Sequence, residues 1–182
     1  TMKISVITAV FNAEKSIVKC VDSVALQKKA EFEHILVDNC STDRTIYLAR
    51  GHNPSLKVIS EPDHGIYDAM NKGARLASGD ILAWLNADDF YFPDTFSKVI
   101  HAFQEHPEVM IVHGNLSVNG REVRPPAPPA SFDGARIFHP ASFIRRELFE
   151  KFGPFDPTYK ICADLNFFLK AKKSGAAFHH LD

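Results

Sequence analysis

Basic residues are not in excess in this sequence: Lys and Arg number 21 against 22 Asp and Glu, a formal charge of −1. Without a basic surplus there is no electrostatic footprint for a nucleic-acid scaffold. Cysteine is scarce. Cys20, Cys40 and Cys162 are odd in number and far apart, so they make neither a disulfide framework nor a metal knuckle and read as reduced thiols of a cytosolic protein. Long apolar runs are missing too. A stretch such as Ile81–Leu85 is strand-sized, well short of the ~20 residues of a membrane span. Thr1-Met2-Lys3 leads straight into a strand, with no signal-peptide pattern ahead of it.

Several phosphate- and acyl-handling motifs are also lacking. The first strand is followed by Ala9-Val10-Phe11-Asn12-Ala13-Glu14, without the close-approach glycines of G-x-G-x-x-G. Neither G-x-x-x-x-G-K-[S/T] nor G-x-S-x-G occurs, which argues against a P-loop enzyme and an α/β-hydrolase. The nine histidines show no zinc spacing. His34, His52, His101 and His106 read as surface or packing residues, whereas His64 and His139 lie in contexts that suggest ligand contact.

What is present is an alternation of strand and helix in 182 residues that are 45% apolar, enough for one well-cored domain. Ile4–Val10, Phe32–Val37, Leu56–Ile59, Ile81–Leu85 and Val109–Val112 read as strands. Helical periodicity runs through Ile17–Ala25, through Ile66, Met70, Gly73 and Ala77, and through Phe96–Phe103 after Pro93. Ser41 is the expected cap of the helix after strand two, with Asp43 in its first turn. The pattern predicts an α/β fold: a mostly parallel sheet with helices on both faces.

Regularity fails after Val112. A hairpin is expected around Asn119-Gly120. Pro125–Pro129 should be extended and free of any sheet, a mobile rim. Phe138–Ile144 reads as a strand interrupted by Pro140, Arg145–Phe152 as a short helix, and Asp164 opens a last helix. Ala176–Leu181 looks like the start of a strand where the chain stops. The expectation is therefore one domain over 1–182, its 1–115 half binding a ligand and its smaller mixed 116–182 half truncated at the C-terminus; a compact natural terminus is the alternative.

In a parallel sheet, ligands gather beyond the carboxyl ends of the strands. Asp38 closes strand two, Asp63 follows strand three, and Asp88-Asp89 follow strand four. Any strand order that makes strands one, two and four neighbours brings these carboxylates to one crevice. Two adjacent carboxylates repel unless compensated. On a short turn they suit a hard cation such as Mg²⁺ or Mn²⁺, and the bland alternative is an acidic pair satisfied by solvent and backbone donors.

Five segments in order resemble the family 2 glycosyltransferases of the GT-A fold. Ile4–Asn12 is similar to their opening strand and turn, and Val37-Asp38-Asn39-Cys40-Ser41-Thr42-Asp43 to their V-D-x-x-S-x-D segment. Ser60–Gly73 resembles a signature of bacterial members that build surface polysaccharides. Leu85-Asn86-Ala87-Asp88-Asp89 is similar to their metal-binding turn, and Phe152–Asp156 with Ala163-Asp164-Leu165 to their acceptor-side half.

The resemblance implies a metal-dependent inverting transferase. It would move a sugar from a nucleoside diphosphate, uridine diphosphate for preference, to a hydroxyl of a glycan or lipid-linked glycan acceptor. Asp38 would accept from the nucleotide base, with Ala9, Phe11 and Asn12 lining the same pocket and Asp63 and Asn71 joining the nucleotide contacts. Asp88 would meet the ribose or the metal, Asp89 would be the direct ligand of Mg²⁺ or Mn²⁺, and Asp164 would be the catalytic base. Two residues depart from the pattern: Asn86 stands where a full D-x-D-D turn has its first acid, and Ala163 where a Glu usually precedes the base. A cytoplasmic location follows, extending to peripheral association with the inner face of the membrane. The alternatives are a nucleotidyltransferase acting on a sugar phosphate, for which Val10–Lys15 lacks the Gly-rich loop, and a non-catalytic nucleotide-sugar-binding domain.

Overall fold

A computed structural model describes residues 2–125 and 137–182 of the chain. Four parallel strands form one side of a seven-stranded sheet: β1 (Lys3–Val10), β2 (Glu31–Asp38), β3 (Lys57–Ser60) and β4 (Ile81–Trp84), in the spatial order β3-β2-β1-β4. β1 thus lies between β2 and β4, the arrangement under which strands one, two and four share one crevice. β5 (Val109–Gly114) is not β4's neighbour. A later strand, β8 (Ser142–Arg145), is inserted antiparallel between them, and β9 (Ala177–Leu181) closes the edge parallel to β5. β6 (Leu116–Val118) and β7 (Arg121–Val123) form the expected separate hairpin, with Asn119 and Gly120 at φ 52° and 77° as the turn demands.

Side chains alternate across the sheet and each face is covered by helices. Ile7, Ile35, Val37, Leu82 and Trp84 face α3 (Ile66–Leu76), α5 (Arg146–Phe152) and α6 (Ala163–Lys173). Ile4, Val6, Ile81 and Ala83 face α1 (Ile17–Ala25) and α4 (Thr95–Glu105), while Leu36 meets α1 and α2 (Thr45–His52). An aromatic cluster joins the two halves of the sequence: Phe149 and Phe155 each lie 5.0 Å from Trp84, and Phe167 lies 5.6 Å from Phe149. Burying a side chain of this size contributes about 1.5–3 kcal/mol.

Several local expectations give way. The expected inner face of α3 holds at Met70, Gly73 and Ala77, but at its first turn Tyr67 is buried and Ile66 is 45% exposed. Ser41 does not cap α2; the helix starts at Thr45, and Asp43 Oδ1 accepts from the Thr45 backbone N–H at 2.9 Å. α4 starts at Thr95, two residues beyond Pro93. The strand expected over Phe138–Ile144 is a short 3₁₀ turn, His139–Ala141, followed by β8, because Pro140 cannot donate to a ladder. The amino edge holds β8 through its arginines: Arg145 Nε donates to Val109 O and Arg146 Nε to Gly79 O, each at 2.7 Å. Among the described residues no helix is long and apolar enough to cross a membrane. The proline segment, from residue 126 to Pro129, lies outside the described residues.

Candidate active site

The carboxyl ends of β1, β2 and β4 converge on a cavity of ≈490 Å³, lined by Asn12–Ser16, Asp43, Ala87 and Asp88. Its floor is a hydrogen-bonded loop. Asn12, in the left-handed region at φ 47°, receives Thr42 N–H on its Oδ1 at 2.8 Å, and its own N–H donates to Ser41 Oγ at 2.8 Å. Ser41 in turn donates, from hydroxyl and backbone, to Asp38. The Asp38 carboxylate also accepts from Ser60 Oγ at 2.6 Å and is fully buried. Asp38 thus fixes the loop that carries Asn12, and its oxygens are turned to Ser41 and Ser60 rather than into the cavity.

The remaining residues expected at a nucleotide divide. Phe11 is exposed beside Asn12, and Ala9 packs partly buried on the core. Asp63 lies in the turn before α3, where its Oδ1 accepts from Gly65 N–H at 2.9 Å. Asn71 is not brought to the cavity: its amide donates to Phe155 O at 2.7 Å and accepts from Phe155 N–H at 2.9 Å, pinning the 155 turn to α3.

Asp88 and Asp89 diverge. Asp88 is exposed on the Asn12 cavity. Asp89 is half-buried, lines a second cavity of ≈480 Å³ walled by Phe90, Phe92, Leu116 and Phe143, and accepts Asn86 Nδ2–H at 2.8 Å. Among the described residues no group of three or more His, Cys, Asp or Glu side chains could hold a metal ion. Although Asp88 and Asp89 face different cavities, one carboxylate suffices for a cation of the Mg²⁺ or Mn²⁺ type, which takes one or two from the protein and draws its other ligands from phosphate and water.

Asp164, in the first turn of α6, faces the same edge. Tyr67 Oη donates to its Oδ1 at 2.9 Å, and His139 Nδ1 lies 3.0 Å from its Oδ2. Burial pushes the carboxyl up, but the hydrogen bond and charge of His139, with the Tyr67 hydroxyl, outweigh it and hold the group below the ordinary carboxylate range. His139 Nε2 meets Asn86 Oδ1 at 3.3 Å. Side chains from the turn after β4, from the residue that opens the 3₁₀ turn before β8, and from the starts of α3 and α6 therefore form one chain: Asp89, Asn86, His139, Asp164, Tyr67. Tyr67 carries no sequence signal of its own, because the adjacent Ile66 is the more apolar claimant to the inner face; of the two histidines in suggestive contexts, His139 is in the site and His64 is exposed.

The family profile for glycosyl transferase family 2 matches residues 5–162. The chain belongs to that family. Its similarity to the PGL/p-HBAD biosynthesis glycosyltransferase of Mycobacterium bovis is 35% identity over 174 residues, 90% of this chain and 67% of the relative. An uncharacterized glycosyltransferase of Haemophilus influenzae is 25% identical over 179 residues, covering 92% of this chain and 61% of its own length. Among solved structures, S. aureus TarS superposes with a TM-score of 0.83 at 26% identity, covering 100% of this chain and 35% of TarS. A shorter TarS, residues 1–349 in complex with UDP-GlcNAc, gives 0.80 at 25% identity over 99% of this chain and 56% of that one. The family 2 chain described here thus spans between a third and two thirds of these relatives.

Proposed function

We propose that this chain is the donor-binding and catalytic part of an inverting glycosyltransferase. It moves a sugar from a nucleoside diphosphate, uridine diphosphate by preference, to a hydroxyl of a glycan or lipid-linked glycan. The observation that carries the reading is Asp164: an ionised carboxylate, oriented on both oxygens by Tyr67 and His139, opposite the Asn86–Asp89 turn. Complexes of TarS with UDP and with UDP-GlcNAc support the choice of nucleotide.

In this reading the diphosphate lies along the Asn12 cavity, with the sugar at the turn and the acceptor reaching in from the aromatic cavity beyond Asp89. Asp164 takes the proton of the acceptor hydroxyl as its oxygen attacks the anomeric carbon. The bond from that carbon to the β-phosphate oxygen breaks, its electron pair leaves with the nucleotide, and the anomeric configuration inverts. Asp89, with Asp88, would hold Mg²⁺ or Mn²⁺, which supplies positive charge to the departing diphosphate. The three free thiols support a reducing, cytoplasmic setting.

Calorimetric titration of UDP with and without Mn²⁺ tests the reading. UDP should bind the parent protein more tightly with Mn²⁺ than without it, and the Mn²⁺-dependent part should vanish in Asp89→Asn while thermal unfolding stays cooperative. A parent protein that binds no UDP under either condition overturns the function, and an unchanged metal effect in the variant removes Asp89 as a ligand.

A further inference from the structure

We propose that His139 is the positioning residue of this site: its ring sets the Asp164 carboxylate and ties it, through Asn86, to the turn that carries Asp88 and Asp89. The inference deepens the function proposed above, since it takes Asp164 as the base.

The geometry has a direction built into it. Asn86 could present either end of its amide to His139. Its Nδ2–H₂ faces the Asp89 carboxylate at 2.8 Å, where only a donor is useful, so its Oδ1 is the end left for the ring. His139 then spans the gap between two chain segments with its two nitrogens, 3.3 Å from Asn86 and 3.0 Å from Asp164. Its side chain is 25% exposed and that of Asp164 19%, so neither is free to sample rotamers as an exposed pair would. Pro140 follows directly, and the 3₁₀ turn runs into β8, whose ladder to β4 and β5 holds the backbone of the ring.

Asn86 gains a role in the same step. Its neutral amide reads in the sequence as a weakened metal ligand. In the structure it joins an acceptor on one side to a ring nitrogen on the other, which an Asp, having no donor when ionised, cannot do toward Asp89. A displacement of Asp89 as a donor substrate engages it reaches Asp164 through two side chains, Asn86 and His139.

Three substitutions separate this role from simple structural support. Asn at position 139 carries its Nδ2 near the place of the imidazole Nδ1, whereas the amide of Gln reaches toward the place of Nε2. With UDP-GlcNAc and Mn²⁺ as the probe, UDP release should fall about tenfold or more in kcat for His139→Ala and His139→Gln, with KM changed less than about threefold. His139→Asn, which restores the contact to Asp164 but not the one to Asn86, should recover part of that loss. Equal losses in the Asn and Gln variants, or a change confined to KM, overturn the proposal. A second measurement needs no turnover. The Asp164 carboxyl ¹³C resonance should move on Asn86→Ala when residue 139 is His, and stay still when it is Ala, a coupling read as a double-mutant cycle. No movement in the His139 background overturns the proposal. Coupling that persists in a protein that binds no UDP overturns the functional reading alone.

Discussion

The phenol of Tyr67 donates a 2.9 Å hydrogen bond to Asp164 Oδ1 from 97 residues away in the sequence. Burial, and then the Asp164 charge, push the Tyr67 hydroxyl up to about 12, so it keeps its proton and remains a donor at any working pH. The same bond helps to hold Asp164 ionised. A base oriented this way needs no proton lost from its supports before it acts.

Asp164→Asn should therefore separate binding from chemistry. UDP affinity should stay within a few-fold of the parent while sugar transfer falls by about 10²–10⁴. Titration calorimetry and a transfer assay check it together; near-parental transfer would remove Asp164 from the mechanism.

Tyr67→Phe removes one of the two supports and keeps the ring that packs on Phe155 at 5.8 Å. A hydrogen bond to a charged group is worth about 1.5–3 kcal/mol, so transfer should fall by roughly ten- to a hundredfold while UDP affinity holds. An unchanged rate would assign the orientation of Asp164 to His139 alone.

Asp38→Ala strips a buried acceptor from the Ser41 and Ser60 hydroxyls and the Ser41 N–H. Ser41 is half-buried and Ser60 exposed, so water takes up part of the loss, and each hydrogen bond to the charged group is worth about 1.5–3 kcal/mol. Urea unfolding should register a loss of at least about 2 kcal/mol, accompanied by weaker UDP binding as the Asn12 loop loosens. Weaker binding without loss of stability would instead mean that Asp38 touches the nucleotide.

Acid should destabilise the fold before most carboxylates titrate. Burial lowers His34 to about 3 and His113 to about 4, whereas both sit near 6.5 in an unfolded chain. The folded state excludes these protons, so stability is complete above about pH 6.5 and falls as pH drops toward 3, by up to about 1.4 kcal/mol per pH unit for each histidine. Urea unfolding at pH 7.5, 6 and 5 should trace that slope, and His113→Asn should make it shallower. An identical slope in the variant would exclude His113 as a contributor.

Gly73→Ala tests the contact of α3 with the sheet. A Cβ there would lie 2.3 Å from Ile7 Cγ2 and 3.2 Å from Val37 Cγ2, both on β-branched side chains without room to swing. Overpacking costs about 1–3 kcal/mol and exceeds most of the ~1 kcal/mol helix gain of Ala over Gly. The thermal midpoint should drop; a rise would mean that α3 can lift from β1 without cost.

The first five strands were legible because each is a short β-branched run at regular distance from an amphipathic helix. Their order was not legible: right-handed crossovers narrow the choices, but only the folded sheet sets β1 between β2 and β4 at the Asn12 cavity and parts β5 from β4. β8 resisted reading: direction within a sheet depends on which neighbours supply the ladder, and nothing in Ser142-Phe143-Ile144-Arg145 encodes that. Asp164 and the Asn86–Asp89 turn were visible by resemblance, yet the bonds between them were not, since His139, Asn86 and Tyr67 meet only after the chain has closed. Tyr67 was hidden for a simpler reason: Ile66 and Tyr67 are both apolar enough to claim the inner face at the first turn of α3.

A strand running against its neighbours exchanges its two ends. The parallel strands deliver the chain to the catalytic edge as they leave the sheet; β8 brings it there before it enters, which is why His139 immediately precedes it. Its other end is clamped at Arg145 and Arg146, about 13 Å away at strand rise. The clamp works as a ruler. A slip of one residue there would turn every β8 side chain to the opposite face and carry His139 out of reach of Asp164, so damage at two surface-side arginines reads out as lost chemistry at the far end of the sheet.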